Sequence, residues 1–187
     1  MKLGILGTLS LAVMLISQVA FAENVKIGFV TTLTGGAGAI GNDMRDAVEL
    51  ALDHLGRKMD GSDVEMFYED DTFKPAVGKQ KTEKLVKKEK VHFVGGYIWS
   101  HVLMASRNSV VGKGPFMITS NAGPGPVAGK LCHEDFFSTS WQNDQTTMAM
   151  GEVLNQLGVK RLYIMAPNYN AGKGMVKGVT STSAGNT

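Results

Sequence analysis

Val25-Lys26-Ile27-Gly28-Phe29-Val30, the helical stretch Asp43 to Leu55, and Val64-Glu65-Met66-Phe67-Tyr68 together decide the fold. The first and third pieces are short runs rich in β-branched and aromatic residues. The middle piece places Ala47, Val48, Leu50, Ala51, Leu52 and Leu55 at helical spacing. The alternation continues down the chain. Pro75 to Lys90 reads as a lysine-rich, solvent-facing helix, with Pro75 in the first turn, where its missing N–H is not needed. Val91-His92-Phe93-Val94 and Pro115-Phe116-Met117-Ile118-Thr119 read as strands on either side of a helix from about His101 to Val111. Phe136 to Thr139 is a short extended piece, and Asp144 to Leu157 is a helix with Asp144 as N-cap and Gly158 as its stop. Arg161-Leu162-Tyr163-Ile164-Met165 reads as a further strand, and a helix begins at Ala171 and runs to Val179. Strand–helix alternation with nearly continuous apolar strands predicts an α/β fold. Its core is a doubly wound parallel sheet with flanking helices.

Ahead of this unit, Met1-Lys2 is followed by an uncharged apolar run from Leu3 to Val19 and by Ala20-Phe21-Ala22 before Glu23. A basic start, an apolar run and small residues at the −3 and −1 positions make residues 1–22 a signal peptide, so an exported protein is expected. No cysteine stands at the cleavage point to take a lipid anchor. Cys132 is the single cysteine of the chain and forms no internal disulfide. The histidines His54, His92, His101 and His133 show no paired metal-ligand spacing. With 19 Lys and Arg against 17 Asp and Glu, the charge is close to balanced, which gives no electrostatic case for nucleic acid.

In an open parallel sheet, ligands bind beyond the carboxyl ends of the strands. Here those ends are 31–41, 70–74, 95–100, 119–125 and 166–172, rich in Gly, Ser, Thr and Asn, with Tyr97, Trp99 and Tyr169 among them. Such loops hold a carboxylate with hydroxyl and N–H groups and wall an apolar moiety with rings. Gly36-Ala37-Gly38-Ala39-Ile40-Gly41 matches the G-x-G-x-x-G dinucleotide pattern. Its first glycine follows the strand several residues late, and the acidic residues Asp70-Asp71 lie too far on. That acidic pair reads instead as a cap for the next helix. Ser100-His101 are sequence neighbours pointing in different directions, and no G-x-S-x-G elbow occurs. The residues therefore point to a non-enzyme, with no cofactor or metal expected. A nucleotide-binding enzyme and an exported ligand-sensing domain are the alternatives.

Several segments in order resemble the branched-chain amino-acid type of ABC-transporter solute-binding protein, the leucine-binding family with the type I periplasmic fold. They are Lys26 to Gly35 with Gly41-Asn42-Asp43, Tyr68 to Thr72 with Lys74-Pro75, and Phe93-Val94-Gly95-Gly96. Ser120 to Pro124, Phe136 to Gln145, and Ala166-Pro167-Asn168-Tyr169 with Gly172-Lys173 complete the series. The fourth and fifth of these six look most like a subgroup whose ligands include aromatic carboxylates. The resemblance implies a periplasmic location, two lobes closing on an amino acid or related small carboxylate, docking on a membrane permease, and a monomer. It implies a ligand-binding lobe over residues 23–141 and the start of a second lobe over residues 142–187. Ser100 and the turn Asn121-Ala122-Gly123 would hold the carboxylate; Trp99, Tyr97 and Tyr169 would line the pocket. The chain departs from the family pattern at Phe73 and Ile98, where some members carry a disulfide, and at Gly174, where an aspartate is usual. Thr180 to Thr187 carries no apolar pattern where another strand should follow, so a truncated chain offering half a cleft, with weak binding, is expected.

Overall fold

The computed structural model describes residues 23–184; the signal-peptide reading of residues 1–22 and the last three residues lie outside it. Strands β1 (Val25–Thr31), β2 (Lys58–Met59), β3 (Ser62–Asp70), β4 (Phe93–Gly96), β5 (Phe116–Thr119) and β6 (Phe136–Ser138) form one sheet in the order β2-β3-β1-β4-β5-β6. All neighbours pair parallel except the hairpin β2–β3, a short antiparallel edge that the sequence reading omits. Helices α1 (Gly38–His54), α2 (Pro75–Lys84), α3 (Ser100–Ser106), α4 (Gln145–Gln156) and α5 (Asn170–Thr182) connect and follow the strands.

The chain runs from β1 to β3 on one side and then returns to place β4 on the other. The point where order reverses therefore lies between the ends of β1 and β4, where open α/β sheets bind ligands. Val30, Val94 and Met117 face α2 and α3, packing with Leu85, Val102, Leu103 and Tyr97 into the main core. Close approach needs small residues. A Cβ on Gly28 would stand 2.7 Å from Leu85, and one on Gly78 would stand 2.4 Å from Val102. On the opposite face Ile27, Phe29, Phe93 and Ile118 line an apolar groove with Val48 of α1.

Helix bounds differ from the sequence reading for local reasons. Helix α1 begins at Gly38, five residues before Asp43, because the G-x-G-x-x-G glycines let its first turn touch the chain behind it. A Cβ on Gly41 would meet the Thr32 carbonyl oxygen at 1.8 Å. Gly38 and Gly41 serve packing within the loop, a Cβ on Gly38 standing 2.8 Å from the Leu33 carbonyl oxygen, whereas one on Gly36 would meet nothing within 4 Å. Helix α2 passes into a π turn over Leu85–Glu89, α3 tightens into a 3₁₀ turn at Arg107–Ser109, and α5 continues to Thr182. Asp144 precedes α4 without a side-chain cap; its Oδ1 accepts from Gln142 Nε2 instead. Gly158 does end that helix, at φ 69°.

The strand expected at residues 161–165 does not form: beyond an isolated bridge at Arg161 the segment pairs with nothing among the described residues. Tyr163 and Met165 are 88% and 86% exposed. A β-strand is defined by its neighbours, and apolar alternation alone does not supply them.

Helix α2 is anchored by charge as well as packing. Glu69 near the end of β3 is buried and pairs with Lys81 and Lys84. Burial pushes its carboxyl up, but the two ammonium groups outweigh it and hold the pKa below the usual glutamate value. A depressed carboxylate stabilises the fold above the unfolded-state pKa and loses that contribution as pH falls through the folded-state value. Glu69→Gln should therefore unfold at lower urea than the parent at neutral pH, with the midpoints converging in acid. A gap that persists unchanged at low pH would contradict the pairing.

Candidate functional site

At the end of β1, Thr31 and Thr32 are buried and the chain turns outward through Leu33 and Thr34. Two neighbouring acids at the end of β3 grip this turn. Asp70 accepts from Leu33 N–H (2.9 Å), the Thr34 hydroxyl (2.5 Å) and Thr72 N–H (2.8 Å). Asp71 Oδ1 accepts from the Thr32 hydroxyl (2.5 Å) and Phe73 N–H (2.8 Å). The pair thus braces two loops and does not cap α2, whose N-cap is Lys74 without a side-chain bond. For Asp70, burial pushes the carboxyl up, but the hydrogen bonds from the Thr34 hydroxyl and the surrounding backbone N–H groups hold it below the ordinary aspartate value. For Asp71, burial dominates and pushes the carboxyl up.

These bonds hold Thr72 (φ 49°) and Phe73 (φ 64°) in the left-handed region, a conformation side chains adopt only under constraint. The result aims the Phe73 ring at Trp99 and at His101, with centroids 4.7 and 5.0 Å away and edge-to-face geometry. Tyr169, just before α5, closes the circuit: its ring lies 6.3 Å from Trp99 and 5.2 Å from His101. Three aromatic rings from separate loops, Phe73, Trp99 and Tyr169, therefore meet His101 of the first turn of α3 at the reversal point of the sheet. Trp99 Nε1–H donates to Thr32 Oγ1 (2.8 Å), which fixes the indole against the β1 loop. The Trp99–Thr32–Asp71 chain runs from the rim into the interior. Burial pushes the Tyr169 hydroxyl pKa up.

The other sequence-derived residues fall around this cluster, with one correction. Tyr97 does not line the rim: it is fully buried, with its hydroxyl on Thr82 Oγ1 (2.7 Å). Its left-handed backbone (φ 63°) and the bond from its N–H to the Val30 carbonyl turn the ring into the core. Ser100 is 2% exposed and its hydroxyl oxygen accepts from Asn143 Nδ2 (2.9 Å), leaving the hydroxyl proton free to donate. Asn121 Nδ2 donates to the Ile98 carbonyl (2.9 Å), and Ala122 N–H to the Tyr97 carbonyl (3.0 Å), so this turn is stitched to the Trp99 loop. The Gly123 carbonyl accepts from Asn143 N–H (2.8 Å), and a Cβ on Gly123 would stand 1.9 Å from the Trp141 carbonyl oxygen. Next to Gly123 a cavity of about 310 Å³ is lined by Trp141, Phe136, Ser138 and Gln142.

Phe73, His101, Thr32 and Asn143 are site residues that the sequence reading did not assign to ligand binding. The rim range 70–74 contains Phe73, but no local signal shows that two successive left-handed residues aim its ring at a loop 26 positions on.

A family model described as "Periplasmic binding protein" matches residues 24–185. Among curated relatives, Leu/Ile/Val-binding protein homolog 6 of Brucella abortus is 26% identical over 159 residues, 84% of this chain and 40% of that protein. Leu/Ile/Val-binding protein BraC3 of Rhizobium johnstonii is 26% identical over 180 residues, 92% of this chain and 48% of that protein. The chain thus spans less than half the length of these relatives.

Among solved structures, an R. palustris ABC-transporter solute-binding protein in complex with benzoate is 27% identical with a TM-score of 0.80, covering 86% of this chain and 44% of that one. A second, in complex with 4-hydroxybenzoate, is 24% identical, also at 0.80, covering 88% and 45%. The branched-chain amino acid transporter substrate-binding protein of Streptococcus pneumoniae, in complex with isoleucine, is 22% identical at 0.71, covering 87% and 47%. The last two likenesses speak to the fold, and the fold is that of the type I periplasmic binding proteins.

Proposed function

We propose a solute-binding role for this chain, which belongs to the periplasmic binding protein family: it is part of an exported receptor that delivers a small organic carboxylate to the permease of an ABC transporter. The observation that carries this reading is the aromatic quartet Phe73, Trp99, His101 and Tyr169 at the sheet's reversal point. It stands beside Ser100, which Asn143 holds through its hydroxyl oxygen, and beside the Asn121-Ala122-Gly123 turn. Three of the rings come from residues 23–141 and the fourth from residues 142–187, the two lobes of the proposed architecture. Ligand binding by such a pair is a hinge closure in which no covalent bond changes. Of the ligand types carried by the relatives, four rings favour a planar aromatic acid, which gains edge-to-face contact, over a branched aliphatic one. The family also supports export to the periplasm.

The test is fluorescence titration with benzoate, 4-hydroxybenzoate and isoleucine, read through the two tryptophans of the chain. Saturable quenching by the benzoates is expected to survive Trp141→Phe and to disappear in Trp99→Phe. The reading falls if none of the three binds saturably. It also falls if the signal follows Trp141, because the ligand would then sit in the neighbouring cavity.

A further inference from the structure

A second cleft, of about 480 Å³, lies between the Pro124–Lys130 turn and α5, and Lys130, Lys173 and Lys177 line it together with Asn170, Gln142 and Asp144. We propose that this cleft binds a compact anion of two or more charges, a phosphate-bearing compound or a small polycarboxylate, at a place separate from the aromatic rim.

Four observations lead there. None of the three lysines takes part in an ion pair among the described residues. Lys26, Lys74, Lys90, Lys113 and Lys160 are likewise outside any ion pair among the described residues; what sets Lys130, Lys173 and Lys177 apart is that all three line one cleft. The one acid in the cleft, Asp144, is already held by Gln142 Nε2. Helix α5 carries Lys173 and Lys177 and no acid anywhere in its sequence. Finally, the placement of these lysines runs against local helix rules. Lys173 lies one turn from the helix N-terminus, where the macrodipole repels a cation, and Lys177 repeats the charge at i+4, where like charges repel. Local choices that disfavour the helix are expected where a site requires them. A multivalent anion relieves both conflicts: it compensates the two ammonium groups and meets the positive helix end.

Lys130 brings the third charge from the other side of the cleft, so a bound anion bridges the segment after β5 and the helix after Tyr169. The ligand class follows from the chemistry. Three flexible ammonium groups present point charges without the planar fork that selects a single carboxylate, and they favour a small body of high charge density.

The test is calorimetric titration of the full chain with pyrophosphate and with citrate at low ionic strength, with benzoate as the monovalent control. Saturable binding of at least one multivalent anion is expected, weakening with added salt. Lys173→Gln/Lys177→Gln should weaken it by about tenfold or more, and circular dichroism should show the helix retained. Preference between pyrophosphate and citrate tells a phosphate compound from a polycarboxylate. The proposal is overturned if neither anion binds saturably, or if a variant with all three lysines changed to glutamine binds as the parent does. Trp99→Phe should leave this affinity unchanged, so failure here is distinguishable from failure of the aromatic-rim reading.

Discussion

Gly123→Ala is expected to destabilise the protein by about 3–6 kcal/mol, the sum of overpacking strain and hydrogen bonds left unmade at a buried junction. The added Cβ would stand 1.9 Å from the Trp141 carbonyl oxygen, 3.0 Å from its carbon and 3.3 Å from Gln142 Cα. All three are backbone-chain atoms, so no side-chain rotation relieves the contact and residues 141–142 must move. That movement pulls Asn143 from both of its bonds, N–H to the Gly123 carbonyl and Nδ2 to Ser100 Oγ. It also drags the segment leading to α4 away from the Asn121 turn, so ligand binding should fail even where folding survives. Gly125→Ala is the matched control: two positions on, a Cβ finds Gln142 Nε2 at 3.5 Å, an ordinary contact. Urea unfolding of the two variants should separate them clearly. Equal midpoints for both would show that the 141–142 segment yields easily and that the junction has no special role.

Asp71→Ala should cost about 2–4 kcal/mol, because the buried Thr32 hydroxyl and the half-buried Phe73 N–H lose their acceptor at once. The Thr32 hydroxyl and Phe73 N–H both end on Asp71 Oδ1, and the Thr32 oxygen in turn receives the Trp99 indole N–H. Without Asp71, Phe73 loses the bond that holds its left-handed backbone, while Thr72 keeps its own to Asp70, and the aromatic circuit opens. Asp71→Asn behaves differently, since an amide oxygen still accepts both bonds while the buried charge is removed.

The pH dependence separates the two effects. Burial raises the Asp71 pKa, so the folded state binds its proton more tightly than the unfolded state does. Stability from this group is therefore fullest below the unfolded value of about 3.8 and is lost as pH rises through the elevated folded value. Asp71→Asn lacks that loss, so it should gain on the parent as pH climbs from the acid range to neutrality. Urea midpoints of parent, Asn and Ala variants across that range are the measurement. A parent–Asn difference that stays constant with pH, or an Ala variant as stable as the Asn variant, would contradict this account.

The rim loops were legible in the sequence as a set, because strand ends in a parallel sheet must come together whatever their side chains. Which residues within each loop face the ligand was not. Tyr97 and Trp99 stand two positions apart in one loop and read alike, yet one lies in the core and the other at the rim. The difference is a left-handed backbone at Tyr97 and a hydrogen bond to Val30, both imposed by the adjoining strand. Phe73 and His101 carry no motif, and only the folding of two acids onto the β1 loop brings their rings together. Likewise Lys130 and Lys173 are 43 positions apart, and nothing in local composition sets them across one cleft.

By itself the sequence determined the features that depend on neighbours along the chain. These are the strand–helix alternation and hence the parallel α/β sheet, Pro75 opening α2, and Gly158 ending α4. Tertiary structure decided what depends on partners far along the chain. It left residues 162–165 without a strand partner among the described residues, turned Asp70 and Asp71 from a supposed helix cap into a brace between loops, and gathered Phe73, Trp99, His101 and Tyr169 at one point. The physical reason is the range of the forces. Periodicity, caps and glycine act within a few residues, whereas strand pairing, ring contacts and buried hydrogen bonds exist only once distant segments have met.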